Sequence, residues 1–286
     1  MNRTSLAALA LALALGLSLT ACGTGDGSTT PAPSASASAS APVESTAAGD
    51  DWSYIKDKGT LNIGITEYKP MNYYDDNGTL VGFDTDFAKA ACDKLGLTPN
   101  FVVIDWDSKE LELNSKNIDC IWNGLTVSED RRANMDFTTS YLTNQQVVVI
   151  RAADAGTYTD LASLSGASVV AEEGSAGEAT VQKDLADCTY TPVSGQTDAL
   201  LEVKSSTADF AVVDYTTAKA MTGTGTSYAD LQILEGISLT NEEYAIGFRK
   251  GSSAVEQFNT VISSLQSDGT LAGLAQTYGL TDLLIQ

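Results

Sequence analysis

From Leu61 onward, short apolar runs alternate with helical patterns, and this restricts the fold of the chain more than any other feature. Leu61-Asn62-Ile63-Gly64-Ile65 has the period of two expected of a strand. Asp75-Asp76-Asn77-Gly78 is a turn signal. Asp84 offers an N-cap for a helix that places Phe87, Ala91 and Leu95 on one face and stops at Gly96. Residues 101–104, 118–122 and 144–150 read as strands, with a short helix capped by Ser108 between the first two. The alternation then repeats, with strands at 168–172, 210–213 and 244–248 and a helix through 199–204. Ser175-Ala176-Gly177-Glu178 fits a capping box that opens another helix. Val255, Phe258, Ile262 and Leu265 mark one face of a long helix, and a last helix with Leu271, Leu274 and Tyr278 ends at Gly279. The pattern implies an α/β chain, with mainly parallel sheets and helices on both faces. Sites in such folds lie in the crevice at the carboxyl ends of the strands.

Charge and residue usage then narrow the chemistry. Lys and Arg total 16 against 37 Asp and Glu, a formal charge of -21. No basic stripe exists to hold nucleic acid or acidic lipid. The chain has no His, which removes His triads, His metal ligands and imidazole bases together. Cys22, Cys92, Cys120 and Cys188 show no C-x-x-C spacing, so a zinc site or a thioredoxin-like motif is disfavoured. Thr222-Gly223-Thr224-Gly225-Thr226 lacks the spacing of a phosphate-binding loop. The expectation is a chain with no cofactor, no metal and no catalytic residue.

The first 21 residues read as a signal peptide, with Arg3 ahead of an apolar run at 6–19. The run is short for a membrane span. It ends in Leu19-Thr20-Ala21-Cys22, which resembles the lipobox of bacterial lipoproteins, and that resemblance implies a lipid on Cys22. Residues 22–50 are rich in Ser, Ala, Thr, Gly and Pro and have little to bury, so a disordered linker is expected. As a flexible tether it would span roughly 30 Å.

The stretch Asn123-Gly124-Leu125-Thr126-Val127-Ser128-Glu129-Asp130-Arg131 follows a strand directly. A glycine there lets a ligand approach the backbone, and an arginine offers a planar fork for a carboxylate. A capped short helix with a surface Arg131 paired to Glu129 or Asp130 fits the same residues. Asp214, at the end of an apolar run, suits either a crevice-facing carboxylate or the N-cap of the next helix.

Three longer segments carry a family resemblance. They are Leu80-Val81-Gly82-Phe83-Asp84-Thr85-Asp86-Phe87, then the run from Ile118 through Arg131 with Met135-Asp136-Phe137-Thr138 and Tyr141, and Tyr244-Ala245-Ile246-Gly247-Phe248-Arg249-Lys250-Gly251. In this order they resemble the amino-acid-binding proteins of ABC importers, which have the type 2 periplasmic binding fold. The resemblance runs from about Leu61 to Leu280.

It implies two lobes joined by two crossover strands that act as a hinge, with residues 51–145 plus 249–286 in lobe 1 and 146–248 in lobe 2. One amino acid would lie in the cleft. Arg131 would bind its α-carboxylate, with Asn123, Gly124 and Thr126 completing the shell from lobe 1. From lobe 2, Ser175 and Ala176 would add a helix N-terminus, whose free N–H groups favour an anion. Ser175 also suits a simple cap, and Ala176 stands where relatives often have a hydroxyl. Asp214 would take the α-ammonium. Tyr68 and Trp106 would surround the ligand side chain, although local packing also accounts for Trp106. Glu172 could read a cationic side chain, or form a solvated acidic pair with Glu173.

The implied function is an extracytoplasmic binding lipoprotein, held to the cell membrane through Cys22, that delivers a polar amino acid to an ABC permease. A monomer is expected. A cyclohexadienyl-dehydratase-like enzyme of the same fold and a sensory ligand-binding protein are the alternatives. Cys92 and Cys120 stand where relatives often have small residues; they are expected to pack together, and the export route permits a disulfide. Cys188 is expected to be a lone thiol in the other lobe.

Overall fold

The computed structural model describes residues 50–286. The signal-peptide and Cys22 readings, and all of the linker but Asp50, lie outside the described residues. The first half of the order is α1 (Asp51–Lys58), β1 (Thr60–Ile65), β2 (Tyr73–Tyr74), β3 (Leu80–Val81), α2 (Phe83–Leu95), β4 (Thr98–Val103), α3 (Lys109–Asn114), β5 (Cys120–Ile121), α4 (Glu129–Asn134), β6 (Met135–Phe137) and β7 (Leu142–Asn144). Then come β8 (Gln146–Arg151), β9 (Ser168–Glu172), α5 (Ala176–Asp184), β10 (Thr189–Val193), α6 (Gln196–Lys204), β11 (Phe210–Asp214), α7 (Tyr215–Met221) and β12 (Leu231–Ile233). The chain closes with β13 (Glu242–Tyr244), β14 (Gly247–Arg249), α8 (Ala254–Ser267) and α9 (Thr270–Thr277).

Two five-stranded sheets form the two lobes, in the orders β4-β1-β5-β14-β6 and β10-β9-β11-β8-β12. Each is parallel except for one strand, β14 in the first and β8 in the second. The exceptions share a cause. Both are the first strand after the chain crosses between lobes, so they enter their sheet from the end toward which the parallel strands run. The crossings are β7 and β13, which pair antiparallel with Asn144 opposite Glu242 and Leu142 opposite Tyr244.

The apolar runs of lobe 2 are continuous because both faces of its sheet are covered. Along β8, Val147 and Val149 enter one core cluster, while Val148 and Ile150 enter the other. In lobe 1, α2, α8 and α9 bury Phe87, Phe258 and Leu271 on one face of the sheet, and Leu113, Ile121 and Leu125 pack on the opposite face. At the edge of this lobe Arg249 donates to Asp51 Oδ1 through Nε and Nη2, at 3.0 and 2.7 Å, and so ties α1 to β14.

Several expectations need correction. Asp84 does not cap α2. Gly82 holds that position with a φ of 130°, and Asp84 lies fully buried in the first turn. A Cβ on Gly82 would approach the Met71 carbonyl to 2.2 Å, which explains the glycine. Ser108 precedes α3 but makes no side-chain cap bond. The run 244–248 is split between β13 and β14, and 144–150 is split at Gln145 between β7 and β8. β14 pairs with β5 and β6, so Gly247 and Phe248 stand in the first sheet. Cys92 and Cys120 do lie in one core cluster, but as free thiols. Cys188 is also free, with its thiol on the Leu164 carbonyl at 3.2 Å.

Candidate functional site

The lobes meet where their parallel strands end. All ten ligand-site residues singled out from the sequence line one cavity there: Tyr68, Trp106, Asn123, Gly124, Thr126, Arg131, Glu172, Ser175, Ala176 and Asp214. Gln196 completes the lining. The cavity measures about 10 Å³, near the least room that one water needs. The lobes are therefore shut, and an amino acid requires them to stand further apart. Beyond Arg131 and Ser175 the cleft widens into an open groove of about 560 Å³.

From lobe 1, the loop after β1 carries Tyr68 across the cleft. Its hydroxyl donates to Asp214 Oδ2 of lobe 2 at 2.9 Å. That uses its one proton, so the hydroxyls of Thr216 and Tyr244, at 2.6 and 2.7 Å, donate to it. Gly124 lies beneath the ring with a φ of 57°, and a Cβ there would approach Tyr68 Cε1 to 2.4 Å. Both facts require glycine. The Gly124 N–H is fixed by Asp84 Oδ2 at 2.6 Å, which gives the buried Asp84 its role.

Asn123 is committed within its own lobe. Its oxygen accepts from Thr66 N and Oγ1, and its amide donates to Thr66 O and Asn72 Oδ1. Its side chain therefore sets the loop.

Arg131 is not a surface residue. It is only 9% exposed, and it pairs with neither Glu129 nor Asp130. The Ser128 hydroxyl caps α4 by accepting from Arg131 N. The guanidinium donates to Thr126 O at 2.8 Å and crosses to Gly174 O of lobe 2 at 3.2 Å. Trp106 lies against it, with the ring centroid 5.8 Å from the guanidinium carbon. Lys109 approaches the same ring to 5.0 Å and donates to Gly174 O at 2.9 Å. One carbonyl of lobe 2 thus receives two cations of lobe 1.

In lobe 2, β9 ends at the buried Glu172, while Glu173 is exposed. The Ser175 hydroxyl accepts from Glu178 N at 3.1 Å, as in a capping box, but Glu178 reaches back to Gly174 N rather than to Ser175 N. A helix has no internal acceptor for its first N–H groups, so the N–H of Ala176, at the first position of α5, is left for the cavity that it lines. Asp214 ends β11 and precedes α7 without a side-chain cap bond. Its carboxylate instead accepts from Asn144 Nδ2 at 2.8 Å, Gln146 Nε2 at 2.5 Å, Tyr68 and Gln196.

Burial dominates the electrostatics. It pushes Glu172 up to about 8, assisted by the Asp214 charge and opposed by Lys109 and Arg131, so Glu172 holds a proton at neutral pH. Burial and then Arg131 pull Lys109 down to about 8. The Tyr68 hydroxyl is driven well above its usual range by burial and Asp214. Arg131 and Asp214 make no ion pair among the described residues, although each is more than nine-tenths buried. No cluster of metal-ligating side chains occurs among the described residues.

Sequence reasoning missed Gln196, Lys109 and Glu242. Gln196 opens α6 just past β10, a place the strand-end rule could have flagged. Nothing in the sequence marks Lys109 as a buried cation.

Comparison with known proteins bears on the family and the fold. A model described as bacterial extracellular solute-binding proteins, family 3, matches residues 61–281. An L-cystine-binding protein of Escherichia coli is 25% identical over 226 residues, covering 78% of this chain and 84% of the relative. An arginine-binding extracellular protein of Bacillus subtilis is 27% identical over 216 residues, covering 74% and 82%. A solved ABC uptake transporter substrate-binding protein of Streptococcus pneumoniae with bound histidine superposes with a TM-score of 0.75 at 29% identity, over 83% of this chain and 99% of that one. With this two-lobed fold and the family model matched over most of its length, the chain belongs to family 3 of the bacterial extracellular solute-binding proteins.

Proposed function

We propose that the protein captures one amino acid between its lobes by a two-ended charge clamp, and hands it to an ABC permease without chemical change. The carrying observation is that Arg131 of lobe 1 and Asp214 of lobe 2 line the same cavity with no ionic partner among the described residues. A buried charge without a counter-charge is costly, and a zwitterion supplies one to each. The ligand carboxylate lies on Arg131 and the Ala176 N–H, and takes over the guanidinium donor now given to Gly174 O. The ammonium lies on Asp214, with Tyr68 and Trp106 about the side chain. Each bond is charge-assisted and shielded from water once the lobes shut.

Glu172, protonated in the shut cleft, can donate to a neutral polar side chain or lose its proton beside a cationic one, and with Asp214 it favours these amino acids over glutamate or aspartate. Relatives named for L-cystine and arginine, and a solved relative with bound histidine, support this class. A lipid on Cys22 holds the protein to the extracytoplasmic face of the membrane, and Cys22→Ser releases it into the soluble fraction. A mutant that stays on washed membranes contradicts that anchor.

A dehydratase of the same fold is the second reading. A solved relative is an ancestral amino-acid-binding protein described as a precursor of cyclohexadienyl dehydratase, and Glu172 is a buried, protonated acid in the cleft. A thermal-shift screen with the twenty amino acids, L-cystine and prephenate separates the two. A ligand at a hundred times its Kd adds about 2.7 kcal/mol of stability. Stabilisation by an amino acid supports the binding reading, whereas stabilisation and turnover of prephenate alone overturn it.

A further inference from the structure

The crossover carries a carboxylate that the clamp does not use. Glu242 opens β13 opposite Asn144 of β7 and is half-buried. Its Oε1 accepts from all three parts of the molecule: Thr126 Oγ1 of lobe 1 at 3.1 Å, Asn144 Nδ2 of the crossover at 2.6 Å and Gln146 Nε2 of lobe 2 at 2.7 Å. The same two amide nitrogens donate to Asp214 Oδ1, at 2.8 and 2.5 Å. An amide nitrogen carries two N–H donors, and here each nitrogen divides them between the two carboxylates. Turning either amide fully toward one acid strips the other.

We propose that Glu242 is a positioning residue for ligand capture, which holds the Asn144 and Gln146 amides on Asp214 and links its own protonation to occupancy of the cleft. This rests on the reading that a ligand ammonium lies at Asp214. The titratable groups that act on Glu242 are Asp214 at the end of β11, Arg131 from α4 and Tyr244 on its own strand. Burial, and then the Asp214 charge, push Glu242 up to about 7. A ligand ammonium on Asp214 cancels that repulsion, and Glu242 releases its proton. Commitment of Arg131 to a ligand carboxylate acts in the opposite sense. However, Arg131 makes no bond to Glu242, whereas Asp214 shares two amides with it, so release wins. Affinity therefore rises with pH through about 7.

The test is calorimetry of the strongest binder among the twenty amino acids and L-cystine, from pH 5.5 to 8.5, in buffers of different ionisation enthalpy. Wild type, Glu242→Gln and Glu172→Gln are compared. Wild type is expected to gain about tenfold in affinity across the range, the effect of roughly one pKa unit, and to release protons near pH 7. Glu242→Gln is expected to flatten that rise and release fewer protons, while Glu172→Gln keeps the share that belongs to Glu242. A merely structural Glu242 would lower the melting temperature and leave pH slope and proton count at wild-type values; that outcome overturns the inference. Should Glu242→Gln not fold, the Glu172→Gln protein decides, because an absence of proton release near pH 7 overturns the inference as well. Wild type that binds none of these ligands at any pH overturns the amino-acid reading and this inference with it, a result distinct from binding without a pH slope.

Discussion

Tyr68 of one lobe donates its only hydroxyl proton to Asp214 of the other, and this bond closes the cleft over a buried carboxylate. The same hydroxyl accepts from Thr216 and Tyr244, so one side chain reads lobe 1, lobe 2 and the crossover. The shut state is thereby held by Asp214, the group to which the proposed clamp assigns a ligand ammonium, so in that proposal closure and binding draw on the same oxygen atoms.

Tyr68→Phe follows directly. It removes the bond to Asp214 and leaves two hydroxyls without their acceptor. A hydrogen bond to a charged group contributes about 1.5–3 kcal/mol, here to a state with no room for the ligand, so amino-acid affinity is expected to rise, by up to roughly 10- to 100-fold. Small-angle scattering without ligand is expected to show a larger radius of gyration. An unchanged radius and unchanged affinity would contradict a role for Tyr68 in closure.

Stability is expected to fall as pH rises from 5 to 8. Glu172 is raised to about 8, and Glu242 and Asp84 to about 7. Folded carboxyls with raised values hold protons that the unfolded chain has already lost, so each pH step through this window favours unfolding. Above about 8, Lys109 acts in the opposite sense, because its folded value lies below that of the unfolded chain. The melting temperature is expected to drop by roughly 5 °C or more across the window, and by less in Glu172→Gln. A melting temperature that rises with pH between 5 and 8 would refute the assignment of Glu172 as a buried acid.

Asp51→Ala tests the framework rather than the site. Asp51 takes two bonds from Arg249 and one from Ser252, while Arg249 also holds the carbonyls of Leu113 and Ile118. Breaking a buried pair on one side costs about 3–5 kcal/mol. Denaturant unfolding is expected to show a loss of that size with ligand affinity of the folded protein kept. A loss below about 1 kcal/mol would show the pair to be solvated.

The legibility of the sequence varied for physical reasons. Strands such as Ser168–Glu172 were readable because both faces of the sheet are covered, which leaves an unbroken apolar run. Asn123, Gly124, Thr126 and Arg131 lie in one segment of the family resemblance, whereas the residues alone left Arg131 and Asp214 open between a ligand role and a surface or capping role, because only the fold shows what faces them. Asp84 was misassigned because a carboxylate ahead of a helix looks like a cap, and only the fold shows the Gly124 N–H that it serves. Lys109 and Glu242 were invisible for a related reason. Their partners, Gly174 and Asp214, are remote in sequence and meet them only across the closed cleft or through shared amides.

The clamp is tested most directly by the dissociation constants of Arg131→Ala, Asp214→Ala and Arg132→Ala, with folding checked by circular dichroism. Arg132 neighbours the site in sequence, but its guanidinium lies over the Phe137 ring at 5.4 Å and it is exposed. Truncating one partner of a buried charged contact costs about 2–5 kcal/mol, largely because the other charge is left unpaired. Arg131→Ala and Asp214→Ala are each expected to weaken amino-acid binding by roughly 30-fold to several thousand-fold, with Arg132→Ala near wild type. Near-wild-type binding by a folded Arg131→Ala protein would contradict the clamp.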